Sequence, residues 1–81
     1  MNIKETLTQA HASRIDEVQL YQINIDNYRM AIEHIDGMDA ADQEELAGFR
    51  SELAGRLVAE LHQQKRAKVM LAVIEKQLEA L

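Results

Sequence analysis

The sequence predicts an all-α protein, a long antiparallel helical hairpin, and three observations carry that expectation. The 81 residues include no proline, no cysteine and only three glycines. Apolar residues recur at alternating steps of three and four, the period of a helix seam, and no stretch alternates apolar with polar as a half-buried strand would. One segment alone, IDGMDAAD at residues 35–42, is strongly punctuated. Helices are therefore expected over about 2–36 and 40–80, forming one domain across 1–81 that dimerises into a four-helix bundle or coiled coil.

The first helix is read from Val18, Tyr21, Ile25, Tyr28, Ile32 and Ile35, with Ile3, Leu7 and Ala10 projecting to the same side. Asn2 suits its N-cap, with Glu5 three places on as a capping-box partner. Ser13 with Asp16 offers a second possible start, which would leave residues 1–12 as a frayed or separate arm. At the turn, Gly37 suits the left-handed position after a helix, and Asp39 suits the N-cap of the next. Asp42, Glu44 and Glu45 fill the following turn, where the helix dipole favours negative charge.

The second helix carries Leu46, Phe49, Leu53, Leu57, Leu61, Leu71, Ile74, Leu78 and Leu81 along one side. A turn centred at residue 38 or 39 pairs residues whose numbers add to about 78, so that Ile32 faces Leu46, Ile25 faces Leu53 and Tyr21 faces Leu57. Apolar then answers apolar over nearly the whole length.

That pairing leaves apolar side chains unused. Ile15, Ile23 and Met30 form a second stripe on the first helix, and Val58, Val69, Met70 and Val73 lie off the main face of the second. Exposed apolar stripes ordinarily mark a partner, and self-association is the simplest way to cover them. The near-repeat LAGFRSELAGRL places Gly48 and Gly55 one heptad apart beside Ala47 and Ala54. Each glycine costs about 1 kcal/mol relative to alanine inside a helix. The expected return is close approach of another backbone; the competing reading is that both glycines face water. In a dimer, charge favours antiparallel partners, because that keeps the acidic ends apart.

The net charge of −5 is unevenly spread. Residues 1–45 carry ten acids against Lys4, Arg14 and Arg29, a net of −7, and residues 46–81 carry six bases against four acids, a net of +2. Glu33, Asp36, Asp39, Asp42, Glu44 and Glu45 form an acidic pole uninterrupted by lysine or arginine. Such a pole repels nucleic acid and suits a basic protein surface. The one basic cluster is HQQKRAK, where Lys65, Arg66 and Lys68 could follow phosphates. It has no aromatic residue on which a base could stack. His11 and Arg14 are expected to meet Glu60, Gln64 and Lys68 in a polar seam layer, with an Arg14–Glu60 ion pair backed by Gln64. Such a layer more often fixes register than binds a ligand.

Catalysis has no candidate constellation. His11, His34 and His62 are never three or four residues apart, no glycine-rich phosphate loop occurs, and Ser13 and Ser51 have no histidine base in the expected register. Tyr21 and Tyr28 read as core aromatics. The expectation is no enzyme, no cofactor and no metal. The N-terminal MNIKETLTQAHASR lacks the pattern of a signal peptide, and the longest apolar run, VMLAVI, is too short for a membrane span. With no cysteine, a reducing cytoplasm is the expected setting.

The segment MDAADQEELAGFRSEL is similar to the turn of small plasmid-encoded RNA-binding hairpin dimers. That likeness is confined to the turn, is shared by capped helical hairpins generally, and assigns neither family nor function. The function expected from the residues is a non-catalytic protein-binding regulator, an inhibitor or adaptor, acting as a helical homodimer through its apolar stripe and acidic pole. The alternatives are an RNA- or DNA-binding hairpin dimer using the 62–68 cluster, and a structural subunit of a larger helical assembly.

Overall fold

The computed structural model describes residues 2–81. Met1, the first residue of the expected domain and of the possible arm, lies outside them. The chain forms an all-α hairpin of two long antiparallel helices, α1 (Ile3–Asp36) and α3 (Ala47–Glu79), joined through a short helix α2 (Ala40–Glu45). It measures 60 × 16 × 14 Å, the shape of a rod.

Local chemistry sets the boundaries. The Asn2 side chain accepts the Glu5 amide at 2.8 Å and starts α1, which runs unbroken through Ser13, so residues 3–12 are its first turns. The Asp39 side chain accepts the Asp42 amide at 2.9 Å and starts α2. At Gly37 the expectation fails, because its φ of −87° is right-handed and no described glycine has positive φ. The last turn of α1 instead tightens: the Gly37 amide bonds to Glu33 O and His34 O at 3.1 and 3.2 Å, and the Met38 amide to Ile35 O at 3.1 Å. The carbonyls that a left-handed residue would have satisfied are thus already engaged.

The expected second helix is divided at Leu46, whose φ of −96° and ψ of 5° leave helical geometry for one residue. Its amide bonds to Asp42 O at 2.9 Å and its carbonyl accepts the Arg50 amide at 2.8 Å, so the chain bends without losing these groups to water. This joint moves the pairing. Asp36 meets Arg50, Asn24 meets Glu60, Gln22 meets Gln64 and His11 meets Glu75, pairs whose numbers add to between 84 and 86. A pairing centred on residues 38–39 is therefore corrected by about one helical turn on each strand of the hairpin. The reversal is centred near Asp42, inside α2, because α2 forms part of the bend.

The core is a narrow seam. Ile25, Ile35, Leu53, Ala67 and Ile74 are its buried hydrophobic residues, with Gln64 the buried polar one. Val18, Tyr21, Tyr28, Ile32, Leu57, Leu61 and Leu71 are half-buried around them. Phe49 and Leu81, expected on the seam, are 51% and 66% exposed. Arg50 takes the inward position beside Phe49, drawn to Asp36 across the hairpin.

Candidate interaction surfaces

Four surfaces bear on function, and the polar part of the seam is the first. Gln64 is 7% exposed, and its Nε2 donates to Val18 O at 3.3 Å and to Gln22 Oε1 at 2.9 Å. Three residues further along α1's C-terminal direction than Val18, the level changes to Tyr21, and at Asn24 the side-chain Nδ2 donates to Glu60 Oε2 at 3.4 Å. Arg14 pairs along its own helix with Glu17 at 3.1 Å, and His11 Nε2 lies 3.5 Å from Glu75 Oε1. The expected Arg14–Glu60 pair is therefore not formed, and His11, Arg14, Glu60 and Gln64 are spread along the seam instead of sharing one layer. Lys68 is exposed. The shifted register is the physical reason: it carries both Glu60 and Glu75 towards the C-terminal end of α1, to the levels of Asn24 and His11. Among the described residues no buried side-chain nitrogen or oxygen lacks a partner, so this seam fixes alignment and offers no unsatisfied group to a ligand.

The acidic pole at the hairpin tip is partly consumed by its own fold. Arg50 Nε and the second guanidinium nitrogen donate to the two Asp36 carboxylate oxygens at 2.6 and 2.9 Å. This hydrogen bonding, chiefly, holds the Asp36 carboxyl below its ordinary 3.8 and raises Arg50. Asp39 is the α2 cap, and Asp42 is half-buried in the first turn of that helix. Gln43 Nε2 ties the turn together by donating to Asp36 O at 3.0 Å and Met38 O at 2.8 Å. Glu33, Glu44 and Glu45 remain exposed, and these three constitute the charged tip offered outward. Further along the hairpin the Arg56 guanidinium is held charged first by the neighbouring Tyr28 hydroxyl and then by Glu52, 2.6 Å away. Glu17, Gln22, Asn24, Arg56 and Glu75 carry no signal in the sequence pattern alone; a pairing sum of about 85 matches Asn24 with Glu60 and sets Arg56 beside the seam residue Tyr28.

The apolar surplus is divided between the outer edges, where Ile23, Met30 and Val69 stand about 200° from the seam, and a broad face, where Leu20, Phe49 and Met70 stand about 100° from it. Ile23 and Met30 are 57% and 66% exposed, and Val58, Val69, Met70 and Val73 are also exposed, whereas Ile15 is half-buried. Gly48 and Gly55 face outward as well, and a Cβ placed on either would meet nothing within 4 Å. Within one hairpin no backbone approaches them. Leu20 and Phe49, both more than half exposed, extend the surplus beyond the residues expected to carry it.

Two concavities lie beside residues of interest. His62, Lys65, Arg66 and Val69 line a shallow depression of about 410 Å³ on α3, which brings two of the three expected phosphate contacts together and leaves Lys68 outside. At the open end of the hairpin Ile3, Thr6, Leu7, Gln77, Ala80 and Leu81, with Asn2, line a mainly apolar cleft of about 470 Å³. The sequence signal for this cleft is the pair of apolar helix ends, Ile3 and Leu81, neither covered by the other. No group of three histidine or acidic side chains placed to hold a metal occurs among the described residues, and none of the helices is long and apolar enough to cross a membrane.

No protein-family profile, curated protein or solved structure matches the chain.

Proposed function

We propose that this chain is a non-catalytic protein-binding regulator, an inhibitor or adaptor, that works as a self-associated helical assembly with a homodimer as its smallest unit. The observation carrying this reading is the balance of apolar surface. Five hydrophobic residues are buried in the hairpin, while ten large hydrophobic ones are exposed. Burial of apolar area is the main favourable term in folding, and so thin a seam gains most from a second copy that covers the remainder. The charged tip formed by Glu33, Glu44 and Glu45 is the surface assigned to a basic patch on another protein. A cytoplasmic setting accompanies the reading, since the chain uses no cysteine.

Sedimentation equilibrium across a wide concentration range tests the assembly. The expected result is a mass above that of the 9.2 kDa chain, with a melting temperature that rises with concentration. A monomer at every concentration, melting cooperatively at one temperature, would remove self-association. For the partner, changing Glu44 and Glu45 to lysine is expected to weaken capture of the bound protein, and unchanged capture would remove the acidic tip from the reading.

The depression bounded by His62, Lys65 and Arg66 supports a second reading, in which paired copies bind RNA or DNA through a doubled basic patch. Affinity that falls steeply with salt, and less steeply after Lys65→Ala, would favour it.

A further inference from the structure

We propose that copies of this hairpin join edge to edge, the outer edge of α1 in one copy seated on the outer edge of α3 in the next. This rests on the self-association proposed above and specifies its geometry. Ile23 and Met30 each stand two residues before a seam residue, Ile25 and Ile32, which places them about 200° round the helix from the seam. Gly48, Gly55 and Val69 stand in the same relation to Arg50, Leu57 and Leu71 on α3. The two edges therefore point away from each other. A second hairpin laid on a broad face of the first would leave both uncovered.

Charge decides which edge meets which. α1 carries six acids against Lys4, Arg14 and Arg29, a net of −3, and α3 carries six bases against Glu52, Glu60, Glu75 and Glu79, a net of +2. Pairing α1 with α1 or α3 with α3 sets like charges together, and pairing α1 with α3 sets opposite ones together. Shape agrees with charge. Ile23 and Met30 project from one edge seven residues apart, and the two open glycine positions interrupt the other edge at the same spacing. With neighbouring helices antiparallel, as they are within the hairpin, Ile23 lies over Gly55 and Met30 over Gly48. That register brings Asp16 level with His62 and one turn from Arg66. The reversed direction, with Ile23 over Gly48, would set Asp16 level with Ala41, at the acidic α2, instead. Since the two surfaces in contact differ, each added copy presents a fresh edge, and the assembly is open-ended unless it closes into a ring.

The cysteine-free chain permits a direct test by disulfide trapping. Met30→Cys and Gly48→Cys variants are made separately, mixed and oxidised, both positions being exposed and open in the single hairpin. The expected product is the mixed disulfide, in several-fold excess over either self-linked pair. A double variant carrying both substitutions is expected to give a ladder of dimers, trimers and higher species. Self-linked pairs equal to or exceeding the mixed product would overturn edge-to-edge joining, as would a double variant that stops at dimers. Sedimentation of the unsubstituted chain separates the two failures. Association accompanied by self-linked products defeats this geometry alone, whereas a monomer throughout defeats the self-association on which it rests.

Discussion

At Gly37 a glycine ends a helix while keeping an ordinary right-handed backbone. A Cβ there would lie 3.6 Å from Glu33 O and from His34 O, which is normal van der Waals contact. Gly37→Ala is therefore expected to raise stability by about 0.4–1 kcal/mol, through a smaller unfolded-state entropy. Urea denaturation checks this, and a loss of stability would show that the position requires glycine. Ile25 marks the opposite extreme, with 0% exposure at the middle of the seam. Truncation to alanine is expected to cost about 2–5 kcal/mol, readable as a collapse of helical circular dichroism in the same titration. The caps at Asn2 and Asp39 could be read from sequence because a cap depends on residues three positions apart. Phe49 could not be placed so simply: it is kept off the seam by Arg50, whose partner Asp36 is fourteen residues away.

The elements follow the same division between near and far. Helical periodicity made α1 and α3 legible almost to their ends, because the seam residues repeat regardless of what lies opposite them. The joint at Leu46 left no comparable mark, since Leu46 is itself a sound helix former and extends an apolar pattern. A single second helix beginning at residue 40 puts the reversal too early, and the polar seam shifts with it: Gln64 donates to Val18 and Gln22 instead of meeting His11 and Arg14. The Asp36–Arg50 pair fastens α1 to α3 beside this joint. Because the carboxyl is held below its ordinary 3.8, its contribution is present above that pH and is lost as pH falls through the lowered folded value. Asp36→Asn is accordingly expected to lower the melting temperature at neutral pH and to flatten its decline below about pH 4. A parallel downward displacement of the whole pH profile would mean that the charge on Asp36 does not matter.

The whole molecule is extended far beyond a packed domain of its length. Its radius of gyration is 18.3 Å, where a compact chain of this size would have about 12 Å. In the self-associated form proposed above, mass action as well as sequence would set how firmly the hairpin holds. Ile23→Lys combined with Met30→Lys is expected to leave helical content intact at high concentration while reducing the assembly's mean mass, since both side chains lie outside the seam. Sedimentation velocity reads that change, and an unaltered distribution would exclude the α1 edge from association. The hairpin also has a direction, with its acidic turn at one end of a 60 Å rod and the apolar cleft between its chain ends at the other. Copies joined in the proposed way all point alike, unlike the antiparallel dimer that the acidic ends alone favour. Their turns therefore line a single margin, spaced by about two helix diameters, roughly 20 Å, which exceeds the screening length of about 8 Å at physiological salt. Such a margin is a charged comb. A basic polymer laid along it would engage several teeth at once and be held far more tightly than any one turn could hold it.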